Sequence, residues 1–329
     1  MNILGIESSC DDTGLAIINS DGVIIDHITS SQHEIHAKYG GIVPELASRD
    51  HVKKFIPLLE ILLHKNRINM NDIDIIAFTN GPGLLGPLLA GASLSKTLGW
   101  SNNIPTIAVN HLEAHIYSPM ITEKNLKPPF VSLLVSGGHT ILSSVDENFQ
   151  INTLGTTLDD SAGECFDKIA RKLNLGYPGG PEIAKRSELS NKNNFIFPRP
   201  MIRSNDYNFS FSGLKTHALN TILAIELTNE NINNISCELQ SAIVDTLISK
   251  SIKASKDLGV KDIVITGGVS ANKKLRKDFS LIKECRAYFP DVKFSTDNGA
   301  MIAYAGFLKS KSSASKKNYT IKPNPSLSL

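Results

Sequence analysis

One order of elements occurs twice along this chain of 329 residues, and it restricts the fold more than any single motif does. Residues 2–7 are a short apolar run, followed by the polar turn Ser8-Ser9-Cys10-Asp11-Asp12-Thr13-Gly14 and a second run at 15–18. Asp21-Gly22 then separates that run from a third at 23–28, and Asp-Gly between apolar runs is a strong hairpin signal. From Pro44 to about residue 67 the period becomes helical. Val52, Phe55, Ile56, Leu59, Leu62 and Leu63 keep that spacing, and Pro44 suits a first turn. Strands at 73–78 and 105–109 alternate with helical patterns at 93–100 and 111–117. At Phe130 the order restarts: a strand at 130–135, the tight turn Ser136-Gly137-Gly138-His139, and strands at 140–145 and 151–154. Helical patterns at 162–173 and 237–258 follow, then a strand at 263–266, a helix near Leu275, a strand ending at Phe294 and a helix at 300–308.

Such an order predicts two α/β lobes with a ligand cleft between them. The expected division is 1–128 and 129–309, the closing helix being free to pack back on the first lobe. A polar tail at 310–329, rich in Ser, Lys and Pro, is expected to fray.

The formal charge of +2 hides a split. Residues 1–272 carry 22 basic and 28 acidic side chains, net −6, and residues 273–329 carry 12 and 4, net +8. Such asymmetry hints at a polyanionic partner held by the basic part. Cys10, Cys165, Cys237 and Cys285 form no C-x-x-C pair, so no zinc knuckle or thioredoxin-type site is indicated. No signal-peptide pattern opens the chain, and no run approaches the roughly 18–20 apolar residues of a membrane helix. A cytoplasmic protein without a membrane partner is the expectation.

Gly81-Pro82-Gly83-Leu84-Leu85-Gly86 matches G-x-G-x-x-G, yet no Asp or Glu occurs between Gly81 and Leu112 to hold a ribose. Pro82 and Pro87 remove further donors, so a tight turn with close helix packing is the reading. His111-Leu112-Glu113-Ala114-His115 is sharper. Four residues apart on a helix, His111 and His115 lie about 40° apart and reach one metal ion. A zinc protease needs H-E-x-x-H, whereas Glu113 sits roughly 200° round the helix from His111. The third ligand is assigned to Asp297, although an Asp before a helix equally serves as a cap. Two His and one carboxylate suit Fe(II), or Zn(II) with an exchangeable ligand. Gly-rich turns at 177–181 and 267–272 let backbone approach a ligand. Asn272 either bonds a ribose or phosphate there or caps its helix, and Asp167 lies one turn into the helix opened by Asp159-Asp160-Ser161.

These stretches together resemble the TsaD family, the tRNA N6-adenosine threonylcarbamoyltransferases. The resemblance rests on Gly5–Thr13, Tyr39–Arg49, Asn80–Leu84, His111–His115, Leu134–Thr140, Asp159–Asp167, Tyr177–Pro181, Phe209–Thr216, Gly267–Asn272 and Thr296–Ala300. Ser295 stands where many members have Cys, and Pro87 where a small residue is usual. What the resemblance implies is an actin/hexokinase-like (ASKHA) fold and transfer of threonylcarbamoyl from threonylcarbamoyl-AMP to a tRNA adenosine just 3′ of the anticodon. It implies one divalent metal ion, Fe(2+) before Zn(2+), on His111, His115 and Asp297. Substrate contacts would come from Leu134, Val135, Ser136, Gly137, Gly138, Asp167, Gly180 and Asn272, with Asp11 near the reacting carbonyl. TsaB-like and TsaE-like protein partners are implied as well. A metal-dependent endopeptidase and a sugar or acid kinase of the same fold are the alternatives.

Overall fold

The structure is a computed structural model that describes residues 1–190, 194–312 and 317–329. The chain packs as two compact units, 1–124 with 296–329, and 125–295. In the first unit, β1 (Ile3–Glu7), β2 (Asp12–Ile18) and β3 (Ile24–Ser31) form an antiparallel meander. The short α1 (His33–Ala37) and the long α2 (Pro44–Asn66) lead to β4 (Ile75–Gly81), α3 (Leu85–Asn102), β5 (Thr106–Asn110) and α4 (His111–Tyr117). The sheet order is β3-β2-β1-β4-β5, with β4 parallel to both β1 and β5. Every residue of the central β1 is buried, as a strand covered on both faces requires. Phe55, Leu59 and Leu62 of α2 pack on this sheet with Leu4, Ile6 and Phe78. Val52 and Ile56, placed by their spacing on the same apolar stripe, are instead 65% and 47% exposed.

The second unit repeats the topology. β6 (Phe130–Val135), β7 (Thr140–Val145) and β8 (Ile151–Thr156) form the meander. Helices α5 (Ala162–Lys172), α6 (Gly179–Glu188), α7 (Ser212–Ala224) and α8 (Asn229–Leu258) precede β9 (Asp262–Thr266), α9 (Lys273–Ser280) and β10 (Arg286–Tyr288). The order β10-β9-β6-β7-β8 has the same two antiparallel and two parallel pairings as the first sheet. The strand expected to end at Phe294 stops at Tyr288, and Val292–Phe294 is a short 3-10 turn, following Pro290, which has no N–H for a ladder.

The final helix, α10 (Gly299–Ser312), belongs to the first unit, so the second unit ends at residue 295 rather than 309. Small residues make this packing feasible. A Cβ on Gly5 of β1 would overlap the Gly299 carbonyl oxygen, and one on Gly14 of β2 would stand 2.5 Å from the Gly299 nitrogen. Backbone therefore lies directly on backbone, and residues just before Gly299 are delivered to the β1–β2 turn.

The expectation of a frayed tail is corrected for residues 317–329; residues 313–316 lie outside the described residues. Lys96 Nζ donates to the Asn318 carbonyl (2.5 Å), Asn324 N–H to Asn80 (2.7 Å) and Gly83 N–H to Pro325 (3.1 Å). A Pro-containing segment makes few bonds within itself, so its carbonyls remain to accept those of the first unit. This also settles the Gly81–Gly86 turn. The Gly83 donor that a phosphate would need is already taken by the protein's own backbone. The substitution Gly5→Ala is expected to cost about 1–3 kcal/mol through forced displacement of α10. Urea unfolding checks it, and an unchanged midpoint would show that the helix shifts freely.

Candidate functional site

The candidate metal centre is built within the first unit by three elements that converge. β5 runs straight into α4, and Asn110 caps that helix by accepting from Leu112 N–H (2.9 Å) and Glu113 N–H (3.3 Å). The cap holds His111 and His115 on one face, their ring centroids 4.7 Å apart and their planes at 90°. Asp297 arrives from the segment before α10. Its Oδ1 lies 2.9 Å from His115 Nε2 and 3.5 Å from His111 Nε2, and its Oδ2 accepts from Ser9 Oγ at 3.3 Å. One potential ligand atom from each of the three lies within 4.8 Å of the others. Two imidazoles and a carboxylate converging in this way fit Fe(II) or Zn(II). Glu113 faces away and pairs with Lys309 of α10 at 2.7 Å, so it is no protease base.

Glu7, not singled out from the sequence, lies behind His111. It is fully buried at the end of β1, accepting from Ser9 N–H and Thr79 Oγ at 2.6 Å each, with His111 Nδ1 at 3.1 Å. The readable signal was an acidic residue closing an otherwise apolar central strand, since a buried carboxylate demands partners.

Charge within this cluster is strongly biased. Burial alone would pull the His111 imidazolium below its ordinary value, but the Glu7 and Asp297 carboxylates override it and push it up to about 9. Burial would raise Asp297, yet the two histidines and Ser9 hold its carboxyl far below the usual range. Asp11, on the β1–β2 turn, is shifted the other way, raised by burial and by the Asp297 charge. Its neighbour Asp12 is pushed up to about 7 by burial and the same carboxylate. A carboxyl raised towards neutrality is suited to accept a proton.

The remaining expected residues all lie in the second unit. Leu134 and Val135 end β6, where Leu134 pairs with Thr266 of β9, so turns 136–139 and 267–272 leave the same edge of the sheet. Ser136 N–H donates to the His139 carbonyl at 2.8 Å and Ser161 Oγ to the Gly137 carbonyl at 2.6 Å, anchoring that turn to the start of α5. Gly137 and Gly138 are exposed, and a Cβ on either, or on Gly180, would meet open space. Asp167 Oδ1 accepts from Gly179 N–H at 2.7 Å, which ties α5 to the turn bearing Gly180. Asn272 caps α9 by accepting from Leu275 N–H (3.0 Å), while its Nδ2 donates to Gln240 Oε1 (2.8 Å). The basic C-terminal part is divided between the two units, 273–295 belonging to the second and 296–329 to the first. Four of its cations also pair with Glu188, Asp278, Asp262 and Glu113.

A sheet topology used twice and a His-His-Asp centre beside the first hairpin define an actin/hexokinase-like (ASKHA) protein with a candidate divalent-metal site. The sequence profile of TsaD, tRNA N6-adenosine threonylcarbamoyltransferase, matches residues 23–304, and the chain belongs to that family. A tRNA N6-adenosine threonylcarbamoyltransferase of Thermosipho africanus (strain TCF52B) is 46% identical over 332 residues, covering 100% of both chains. Its counterpart in Ralstonia pickettii (strain 12J) is 46% identical over 317 residues, 94% of this chain and 91% of that one. Among solved structures, T. kodakarensis HypF matches with a TM-score of 0.65 at 14% identity, over 94% of this chain and 48% of that one. Component A of (R)-2-hydroxyglutaryl-CoA dehydratase from Acidaminococcus fermentans matches with a TM-score of 0.56 at 15% identity, covering 94% and 99%. This chain thus spans about half the length of HypF, and the two structures speak for the fold alone.

The His111 shift gives a pH prediction for the metal-free protein. With a folded value of about 9 against 6.5, its stabilising contribution is complete below pH 6.5 and lost as pH rises through 9. NMR titration of the ring should place its midpoint near 9, and a midpoint near 6.5 would remove Glu7 and Asp297 as charge partners.

Proposed function

We propose that this chain transfers the threonylcarbamoyl group from threonylcarbamoyl-AMP to N6 of the adenosine just 3′ of the anticodon in ANN-decoding tRNAs, releasing AMP. The observation that carries the reading is the meeting of His111, His115 and Asp297 in a chain of this family. Those three residues hold one divalent ion, Fe(2+) before Zn(2+). Such an ion, when bound, acts as a Lewis acid on a carbonyl oxygen. Adenine N6 is a weak nucleophile because its lone pair is delocalised into the ring, so the accepting amine also needs orientation and a base. Asp11 supplies both, its carboxyl being raised above its ordinary value by burial and the Asp297 charge. In the second unit, Gly137 and Gly138 of the open turn after β6 offer backbone N–H groups to the AMP phosphate, with Asp167, Gly180 and Asn272 as further contacts.

Partner proteins complete the reaction. Val52 with Ile56 on α2 and Leu85 with Leu89 on α3 are exposed apolar pairs four residues apart, a surface suited to a TsaB-like partner. A TsaE-like protein is the second. Among the described residues no helix is long and apolar enough to cross a membrane. The reading places the protein in the cytoplasm, where tRNA is modified. An endopeptidase finds no base beside His111, where Leu112 stands, and the kinase alternative rests on fold alone.

The test is nucleoside analysis of unmodified tRNA after incubation with threonylcarbamoyl-AMP, the metal-loaded chain and its partners. Threonylcarbamoyladenosine is expected, and its absence overturns the reading. Asp11→Asn should keep wild-type metal content while the transfer rate falls by about 10²–10⁴. An undiminished rate would remove Asp11 from the chemistry. His115→Ala should lose the bound metal in elemental analysis, and full metal content would dissolve the assigned centre.

A further inference from the structure

Glu7 has no place in the transfer chemistry, yet it is the most completely enclosed carboxylate beside the centre. Its two oxygens receive three groups: Ser9 N–H at Oε1, and Thr79 Oγ and His111 Nδ1 at Oε2. The side chain is wholly shielded from water, as is Thr79, so no solvent competes for those bonds. An ionised carboxylate only accepts hydrogen bonds. His111 must therefore carry its proton on Nδ1 to meet Glu7. The other ring nitrogen, Nε2, is the one 3.5 Å from Asp297 Oδ1, on the side where His115 Nε2 also arrives.

We propose that Glu7 is a positioning residue that fixes the His111 tautomer, keeping the proton on Nδ1 so that Nε2 is the ligand atom offered to a divalent cation. The inference rests on the metal reading for its consequence, but the tautomer itself does not depend on a bound ion. The same short segment reaches a second ligand, since Ser9 Oγ donates to Asp297 Oδ2. The end of β1 and the turn after it therefore orient both His111 and Asp297 without ligating anything themselves. A carboxylate behind a ligating imidazole also makes the ring a stronger donor, and removing such a partner weakens metal binding by about 10–100-fold.

Glu7→Gln is the decisive variant, because it is nearly isosteric. The Gln oxygen still accepts from Ser9 N–H, but its amide nitrogen faces His111 Nδ1 and can only donate. The ring proton then moves to Nε2, the atom a cation needs. The Zn²⁺ dissociation constant, measured against a competing chelator, is expected to rise about 10–100-fold. Thr79→Val, which removes a neighbour of Glu7 but leaves the charge, should stay within about threefold of wild type. Nitrogen-15 NMR of the Zn²⁺-loaded wild type should show His111 protonated at Nδ1 with Nε2 bound. A Glu7→Gln affinity within twofold of wild type, or a wild-type Nδ1 without a proton, overturns the proposal. Should Glu7→Gln fail to fold, the wild-type spectrum decides alone. A wild type that holds no Zn²⁺ defeats the metal reading instead. The neutral ring of the metal-free protein, observed at pH 10, then decides the Glu7 assignment by which nitrogen keeps the proton.

Discussion

The start of α10 lies so close on β1 and β2 that no side chain fits between them, and the centre depends on that contact. Gly5, Gly14 and Gly299 create the space. Through it Asp297, 182 positions from His115 in sequence, reaches a helix that begins at the end of β5. Chain connectivity alone would leave the carboxylate and the imidazoles in different parts of the protein. A rigid backbone-on-backbone contact instead fixes where Asp297, on the bend just before α10, stands.

That placement has an electrostatic consequence. Glu7 and Asp297 flank His111, so a buried and a half-buried negative charge share one imidazolium when no cation is present. Burying such charges is costly unless they are paired and hydrogen-bonded, and the donors Ser9, Thr79 and His115 complete the pairing. A divalent cation held by His111, His115 and Asp297 would satisfy the same balance while displacing a proton. Burial and the Asp297 charge raise both Asp11 and Asp12, which separates their behaviour from that of Asp297.

Much of this was legible in the sequence, for identifiable reasons. The two meanders announced themselves through short apolar runs broken by polar and Gly turns, and the spacing of His111 and His115 gave their shared face directly. Gly81–Gly86 as a packed turn was likewise a local matter. Glu7 was legible only as an acidic residue closing an apolar strand, because its meaning comes from Thr79 and His111, both brought to it by parallel strand pairing and a helix start. The tail at 317–329 misled, since its polar, Pro-containing composition says nothing of carbonyls that accept bonds from Lys96, Gly83 and Asn110. Val52 and Ile56 misled for a related reason: helical spacing defines a stripe, but not how wide a stripe the sheet covers. The basic C-terminal run divided because the two compact units part at residue 295.

The central claim is that one divalent ion is held jointly by α4 and the segment before α10. Anomalous diffraction from a crystal loaded with Zn²⁺ tests it most directly. The account predicts a single strong peak bridging His111, His115 and Asp297, with Glu7 behind His111 and outside the coordination shell. A peak elsewhere on the chain, or one ligated by Glu7 in place of Asp297, would contradict it.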